Sequence, residues 1–104
     1  MDPQARYDEI CDDLVARDPD VVLGQMMGMP AIKCCGKMIG GFWREHMVFK
    51  LTDEGQREAA LALEGSALFD PSERGRPMKE WVAVPADHAD RWPDLAGQAV
   101  SAQR

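Results

Sequence analysis

The sequence predicts an α+β fold: a largely antiparallel sheet of about five strands with helices packed on one side. The first observation is that the glycine-rich stretch 21–51 divides into short apolar runs separated by hairpin-length turns, which join antiparallel neighbours. The second is that helical patterns lie before and after this stretch. Segregated helices and strands indicate the α+β class and not a parallel doubly wound sheet.

The first predicted element is an amphipathic helix that ends near Arg17. Asp2 and Pro3 make a cap and first-turn pair. The helix ends before Pro19 because the residue preceding a proline is disfavoured in helical geometry. Apolar residues recur between these limits at helical spacing: Tyr7, Ile10, Cys11, Leu14 and Val15.

Short strands and tight turns are predicted next. Hairpin turns are expected at residues 35–37 and 43–46. Adjacent side chains on a strand point to opposite faces, so Cys34 and Cys35 are expected to be poorly placed to bond to each other. The four predicted strands lie at about 21–27, 31–35, 37–43 and 47–51.

A second helix is predicted after the strands. Asp53 followed by Gln56 resembles a capping box, in which the aspartate accepts a hydrogen bond from a main-chain N–H of the first turn. The helix should run to about Leu63, with Gly65 closing it.

The last third of the chain combines a loop, a strand and two helical segments. Residues 70–77 are polar and proline-containing, which predicts an exposed loop. The strand 78–84 has no cleanly apolar face, so it is either an edge strand or one whose second face is covered. A helical turn at 87–91 and a helix with Pro93 in its first turn complete a single domain over 1–104.

Composition and charge exclude several classes of function. The chain has 104 residues, 45% of them hydrophobic and 29% charged, enough to bury about 60–70% of its unfolded surface. Its net charge of −6 opposes non-specific attraction to nucleic-acid phosphates or anionic lipid. Without an apolar run of about 20 residues or a secretion-signal pattern, we expect a cytoplasmic protein with reduced cysteines and no membrane partner.

No pattern predicts a catalytic, metal or cofactor site. Cys34 or Cys35 lies across a hairpin from His46, yet no orienting group or oxyanion element accompanies them. Gly36-Lys37 lacks the spacing of a phosphate-binding loop. We therefore expect no enzyme. The residues that could bind a soft metal lack its usual pairwise spacing: Cys11, Cys34, Cys35, His46 and His88.

Three segments resemble a known family. They are MMGMP at 26–30, GRPMKEWVAVP at 75–85, which follows FDP at 69–71, and ADRWP at 89–93. Through them, about residues 20–100 are similar to the TfoX (Sxy) N-terminal-domain-like family. The resemblance implies a secretion-chaperone-like, two-layer fold in a small bacterial cytosolic protein with a regulatory or partner-binding role, and it carries over no catalytic residue.

Two departures from the family pattern limit what the resemblance implies. Full-length competence regulators of this family carry a C-terminal helical domain, which is not expected here because the chain stops at Arg104. Their early motif is closer to Met-Phe-Gly-Gly, whereas Met27 and Met29 occupy this position here.

Basic residues concentrate on the predicted strands. The stretch 21–51 has four basic residues against one acidic residue, and a second basic group precedes and enters the strand 78–84. Basic residues beside tryptophans could form a surface that binds a partner. In the alternative interpretation, the basic residues lie on a solvated sheet face and the tryptophans belong to the core. The candidate partner-binding residues are Lys37, Trp43, Arg74, Arg76, Lys79 and Trp81.

Taken together, these patterns predict a non-enzymatic regulatory or protein-interaction module of the TfoX N-terminal type. Its partner would be another protein or a second copy in a homodimer. The alternative is a nucleic-acid-associated regulator of the competence or transcription type. In such a protein, aromatic stacking and phosphate contacts would together bind single-stranded nucleic acid.

Overall fold

The computed structural model describes residues 2–26, 28–70, 75 and 77–103. These residues form three α-helices and one six-stranded sheet. The helices are α1 (Pro3–Arg17), α2 (Glu54–Leu61) and α3 (Trp92–Ser101). The strands are β1 (Val21–Met26), β2 (Met29–Cys34), β3 (Lys37–Trp43), β4 (His46–Lys50), β5 (Ala67–Phe69) and β6 (Met78–Pro85), and a 3₁₀ turn follows at Ala86–His88.

The predicted fold class is confirmed, with one more strand than expected. The sheet is antiparallel throughout, in the order β1-β2-β3-β4-β6-β5. The additional strand is β5, whose three residues are too few to show an alternating pattern in the sequence. Since β5 pairs with the outer side of β6, β6 is an interior strand. Its mixed pattern reflects a covered second face.

Left-handed two-residue turns connect the central strands. Cys35 and Gly36 join β2 to β3 with φ angles of 57° and 82°, and Arg44 and Glu45 join β3 to β4 with φ angles of 47° and 64°. Two positive φ angles match the right-handed twist of the flanking strands. A non-glycine residue in this conformation costs about 1–2 kcal/mol, so the Arg44–Glu45 turn must be stabilised by the strands it joins.

The cysteine pair differs from the sequence expectation. Cys34 ends β2, whereas Cys35 belongs to the turn. The positive φ angle of Cys35 redirects its side chain, and its Sγ atom lies 3.4 Å from the Sγ atom of Cys34. The two side chains therefore do not point to opposite faces as expected of strand neighbours, although both cysteines are free.

Both predicted N-caps are confirmed. The Asp2 carboxylate accepts a hydrogen bond from the Ala5 N–H at 3.2 Å, and the Asp53 carboxylate accepts one from the Gln56 N–H at 2.9 Å. α2 ends at Leu61, two residues before its predicted end. In the described part of the chain, no helix has the length and apolar character needed to cross a membrane.

A series of aromatic contacts ties α1, β3 and α3 together. The indole N–H of Trp92, the first residue of α3, donates to the carbonyl oxygen of Val84 at 3.2 Å. The Trp92 ring meets Phe42 edge-on with ring centroids 6.4 Å apart, and Phe42 lies 5.4 Å from Tyr7 of α1. As predicted, Pro93 occupies the first turn of α3.

The sheet separates two apolar clusters. The helix-side core combines residues of all three helices with inward-facing strand residues such as Ile32, Phe49 and Val82. On the other side lies the opposite-face cluster, whose described members all come from strands. Its buried members are Met29, Val48, Phe69, Trp81 and Ala83, and its partly buried members are Met26, Met38, Trp43 and Met78. The helices therefore pack on one side of the sheet, as predicted.

Gly41 on β3 allows the close approach of β2. A Cβ atom at Gly41 would lie 2.6 Å from the Met29 Cε atom and 2.7 Å from the Pro30 carbonyl oxygen. The methionine end can move, but the main-chain oxygen cannot move without shifting β2. Only glycine fits this position of the sheet without rearrangement.

We expect Gly41→Ala to lower the free energy of unfolding by about 1–3 kcal/mol, the usual cost of overpacking. Gly24→Ala is the matched control, since a Cβ atom there meets nothing within 4 Å. Its effect should stay within about 0.5 kcal/mol. Urea unfolding measures both, and equal effects would contradict the close approach.

Candidate partner-binding surfaces

The basic residues predicted to bind a partner lie in different parts of the chain. Arg74 and Arg76 lie outside the described residues. Lys37 begins β3 and Lys79 is the second residue of β6, and both are exposed. The antiparallel register through β4 places these two lysines at the same end of the sheet.

The two predicted tryptophans belong to the opposite-face cluster. Trp81 is only 7% exposed. Trp43 meets the Phe69 ring edge-on at 5.3 Å between centroids, and the Arg44 guanidinium lies 4.7 Å from the centroid of the Trp43 ring. Trp43 is also six residues along β3 from Lys37, a separation of about 20 Å. The described candidate residues therefore do not converge on one surface.

The structure also separates the cysteines from the histidines. Cys34 precedes the start of β3, whereas His46 follows its end, so the hypothesis of a cysteine–histidine pair across one hairpin is wrong. His46 Nδ1 is hydrogen-bonded to the Arg44 carbonyl oxygen, and His88 Nε2 to the Glu64 carbonyl oxygen, each at 2.8 Å. Over the described ranges, no three His, Cys, Asp or Glu side chains are placed to share a metal ion.

A different surface, the β1 edge, presents unpaired main-chain groups. β2 is the only neighbour of β1 in the sheet order of the described residues. In antiparallel pairs, successive residues turn their N–H and C=O groups alternately toward and away from the partner strand. The Cys35 N–H donates to the Asp20 carbonyl oxygen, whereas the Val21 N–H points away from β2. The same alternation turns the main-chain groups of Leu23 and Gln25 toward the open side.

The residues of β1 themselves have no charge, proline or bulge that would block pairing with another strand. Its six residues include no charged residue and no proline, and its register with β2 has no bulge. Val22 and Leu23 are 57% and 46% exposed. At the other end of the sheet, β5 has only three residues and an irregular register. β1 is thus the longer and more regular of the two edges.

A cleft of about 210 Å³ lies between the β1 edge and α1. Leu23, Gly24 and Pro30 line it on the sheet side, and Asp8 and Asp12 line it on the helix side. The four-residue spacing places both carboxylates on one face of α1.

The two carboxylates at the cleft are not neutralised by a cation within the described residues. The other two acidic residues of α1, Glu9 and Asp13, form ion pairs with arginines of the same helix. Asp8 accepts a hydrogen bond from the neutral side-chain amide of Gln4 at 3.2 Å. The cleft therefore joins apolar surface to two negative charges.

The groups beneath the cleft remain uncharged at neutral pH. Burial raises the pKa of the Cys11 thiol to about 11, and the negative charges of Asp8 and Asp12 act in the same direction. Burial likewise raises the pKa of Tyr7, with Cys11 and Asp8 adding to the effect. The charge of the cleft is therefore that of its two carboxylates.

Sequence reasoning missed this surface, although part of its signal is present. The segment VVLGQM contains no charged residue and follows a strongly acidic helix. Asp8 and Asp12 have the spacing that brings them to one side of α1. The sequence pattern does not reveal that β1 lies at the edge of the sheet, because strand order depends on pairings between distant parts of the chain.

We expect Trp81→Ala to lower the free energy of unfolding by about 3–5 kcal/mol, because it empties a buried aromatic position. Lys79→Ala, two residues away and exposed, should change it by less than about 0.5 kcal/mol. Urea unfolding of both variants checks the assignment. A small effect of Trp81→Ala would mean that this ring is available at the surface.

Stability should fall as the pH rises from about 9 to about 11. In this range the unfolded chain releases the Cys11 proton, whose ordinary pKa is near 9, while the folded chain retains it. The unfolded state then binds fewer protons, so stability falls by up to about 1.4 kcal/mol per pH unit for each such group. Cys11→Ala should make the fall shallower in urea unfolding at stepped pH. Gly24→Ala, which changes no titratable group, is the control, and an unchanged slope in Cys11→Ala would contradict the prediction.

Comparison of the chain with protein-family models, curated proteins and solved structures found no match in any of the three. The resemblance to the TfoX N-terminal-domain-like family therefore stays a prediction. A proposed function must instead rest on the residues and geometry of this chain, above all on the β1 edge and the acidic cleft beside it.

Proposed function

We propose that this chain is a non-enzymatic protein-interaction module that binds an extended basic segment of another protein by strand addition to β1. The observation that carries the proposal is the open, uncharged β1 edge with two carboxylates, Asp8 and Asp12, beside it. The TfoX-like resemblance supports a regulatory setting for this role, and the expected place is the cytoplasm.

Main-chain hydrogen bonds provide the first part of the interaction. An added strand meets the N–H and C=O groups of Leu23 and Gln25, which gives up to about four hydrogen bonds. Each contributes about 0.5–1.5 kcal/mol net. Since these bonds do not depend on side chains, they supply affinity without selecting a sequence.

Side chains beside the edge provide the selection. Val22 and Leu23 lie on opposite faces of β1 and are both half exposed, so an added strand buries apolar surface against each. On the helix side, a lysine or arginine stem covers Leu23 while its charged end reaches Asp8 and Asp12. A segment that alternates basic and apolar residues fits both requirements.

A second copy of the chain fits this edge less well. Pairing two β1 strands about a twofold axis would bring the acidic sides of two α1 helices toward each other. Like charges at short distance oppose association. The homodimer is therefore an outcome to be tested by light scattering, and a dimer at tens of micromolar that competes with peptide would overturn the proposed occupant.

Nucleic acid is disfavoured by the same charges. The edge lies beside uncompensated carboxylates, and the net charge of the chain is −6. The basic residues of β2 to β4 are also dispersed, with Lys37 at one end of β3 and Arg44 beyond the other. Binding of a fluorescent single-stranded oligonucleotide at low salt, without peptide competition, would favour the alternative.

The proposal predicts binding of a fluorescein-labelled octapeptide that alternates lysine with valine. A glutamate–valine octapeptide of the same length should bind at least about 10-fold more weakly in fluorescence anisotropy, because it places carboxylates against Asp8 and Asp12. In amide NMR spectra, the lysine–valine peptide should shift the Leu23 and Gln25 signals and slow their hydrogen exchange. Equal affinity for both peptides, or unaffected edge amides, would overturn the proposal.

Charge reversal on α1 provides the matched variants. Asp12→Lys should weaken binding of the lysine–valine peptide by about 2- to 10-fold, the range expected for exposed charge pairs. Glu58→Lys on α2 makes the same charge change at an exposed position away from the edge and should leave binding within about 2-fold. If both variants weaken binding equally, the attraction reflects overall charge and not the cleft.

A further inference from the structure

The geometry of the β2–β3 turn points to a binding site for a thiophilic trivalent arsenic centre, and we propose that Cys34 and Cys35 chelate it as a dithiol. Their Sγ atoms lie 3.4 Å apart, and both residues are free cysteines. This site is separate from the proposed peptide surface and does not depend on it.

The distance between the sulfur atoms favours a bridging centre over a direct bond. Adjacent Cα atoms are about 3.8 Å apart, which is shorter than the roughly 4.4 Å at the lower end of the usual disulfide range. A Cys34–Cys35 disulfide would therefore be strained. A centre that holds both sulfur atoms keeps them apart and avoids this strain.

Bond geometry indicates the class of centre. Two bonds of about 2.3 Å that meet at about a right angle span about 3.3 Å, whereas a tetrahedral zinc ion with the same bond length separates its sulfur ligands by about 3.8 Å. The observed 3.4 Å, a hydrogen-bond contact between the two free thiols, places the sulfur atoms at about the span of the first arrangement. A pyramidal arsenic(III) centre has bonds of this kind and carries its third substituent with it.

The number of protein ligands supports the same assignment. A structural zinc ion needs four ligands. Within the described ranges, no group of three or more His, Cys, Asp or Glu side chains can hold a metal ion. The dithiol alone satisfies a monosubstituted arsenical, which needs two sulfur atoms from the protein.

The two thiols differ in solvent exposure, and this difference determines which of them reacts first. Cys35 is exposed on the turn, whereas Cys34 is fully buried. Burial raises the pKa of the Cys34 thiol to about 11, so it is protonated at neutral pH. Cys35 forms the first bond, and the arsenic atom is then held next to Cys34 for the second.

The reaction balances without an oxidant. In a monosubstituted arsenic(III) oxide, the two thiols each give up one proton, two As–S bonds form, and the As=O oxygen leaves as water. No electron is transferred, so arsenic stays trivalent. The neutral Cys34 thiol is a competent reactant because its proton departs with the oxide oxygen.

Phenylarsine oxide is the probe for the test. The folded protein should take up one equivalent, observed by native mass spectrometry as one adduct formed with loss of one water. Excess monothiol, 2-mercaptoethanol, should leave the adduct in place, whereas the dithiol 2,3-dimercaptopropanol should remove it. Removal by the monothiol would show attachment through a single cysteine and overturn the proposal.

Three variants assign the adduct to the pair. Cys35→Asn should weaken phenylarsine oxide binding by about 100-fold or more, since chelation raises the effective concentration of the second ligand. Asparagine tolerates the left-handed conformation at this position, so this variant should remain folded by circular dichroism. Cys34→Ala should weaken binding equally, and Cys11→Ala should bind like the unchanged chain. Retained tight binding in Cys35→Asn, or loss in Cys11→Ala alone, would place the arsenic elsewhere.

Discussion

The position of Trp92 is the constraint on which most of this structure depends. Its indole N–H is anchored to the Val84 carbonyl oxygen, and its ring begins the series of contacts through Phe42 to Tyr7. A buried tryptophan needs a partner for its N–H group, and here the interior strand β6 supplies it. The contacts hold α1 and α3 on the same face of the sheet. Among the described residues, one face is consequently filled by helices and the other by strand residues.

This arrangement determines which surfaces remain for function. Because α1 packs beside β1 on the helix side, its acidic residues lie next to the sheet edge. The opposite-face cluster accounts for the tryptophans that appeared suitable for binding a partner. The surface with unpaired main-chain groups is therefore an edge, and the charge beside it is acidic although the strand region as a whole is basic.

Local signals predicted most elements of the fold. The Asp2 and Asp53 caps and Pro93 in the first turn of α3 follow from residue preferences that act within a few positions. The hairpin turn at 44–45 was predicted from the apolar runs on either side of it, since Arg44 and Glu45 do not favour positive φ angles. β5 was missed because its three residues pair with residues 9 to 16 positions away and have little pattern of their own.

The candidate sites were less predictable, since they depend on geometry that residue type does not determine. Cys34 and Cys35 were expected to diverge as strand neighbours, and a single positive φ angle brought their sulfur atoms together. The resemblance to a family supplied no site residue that could have replaced this missing geometry. Strand order was likewise needed before β1 could be recognised as an edge.

The open β1 edge has a consequence for the behaviour of the chain at high concentration. A long regular edge without charge or proline is also a template for uncontrolled strand pairing and aggregation. The acidic segment that contains α1 opposes such pairing by electrostatic repulsion. The first twenty residues hold seven acidic residues against two arginines. Repulsion between such segments keeps identical edges apart, and salt screens that repulsion beyond about 10 Å at 0.1 M. Self-association of this chain should therefore depend on ionic strength, with the acidic helix contributing to solubility in addition to its proposed role in recognition.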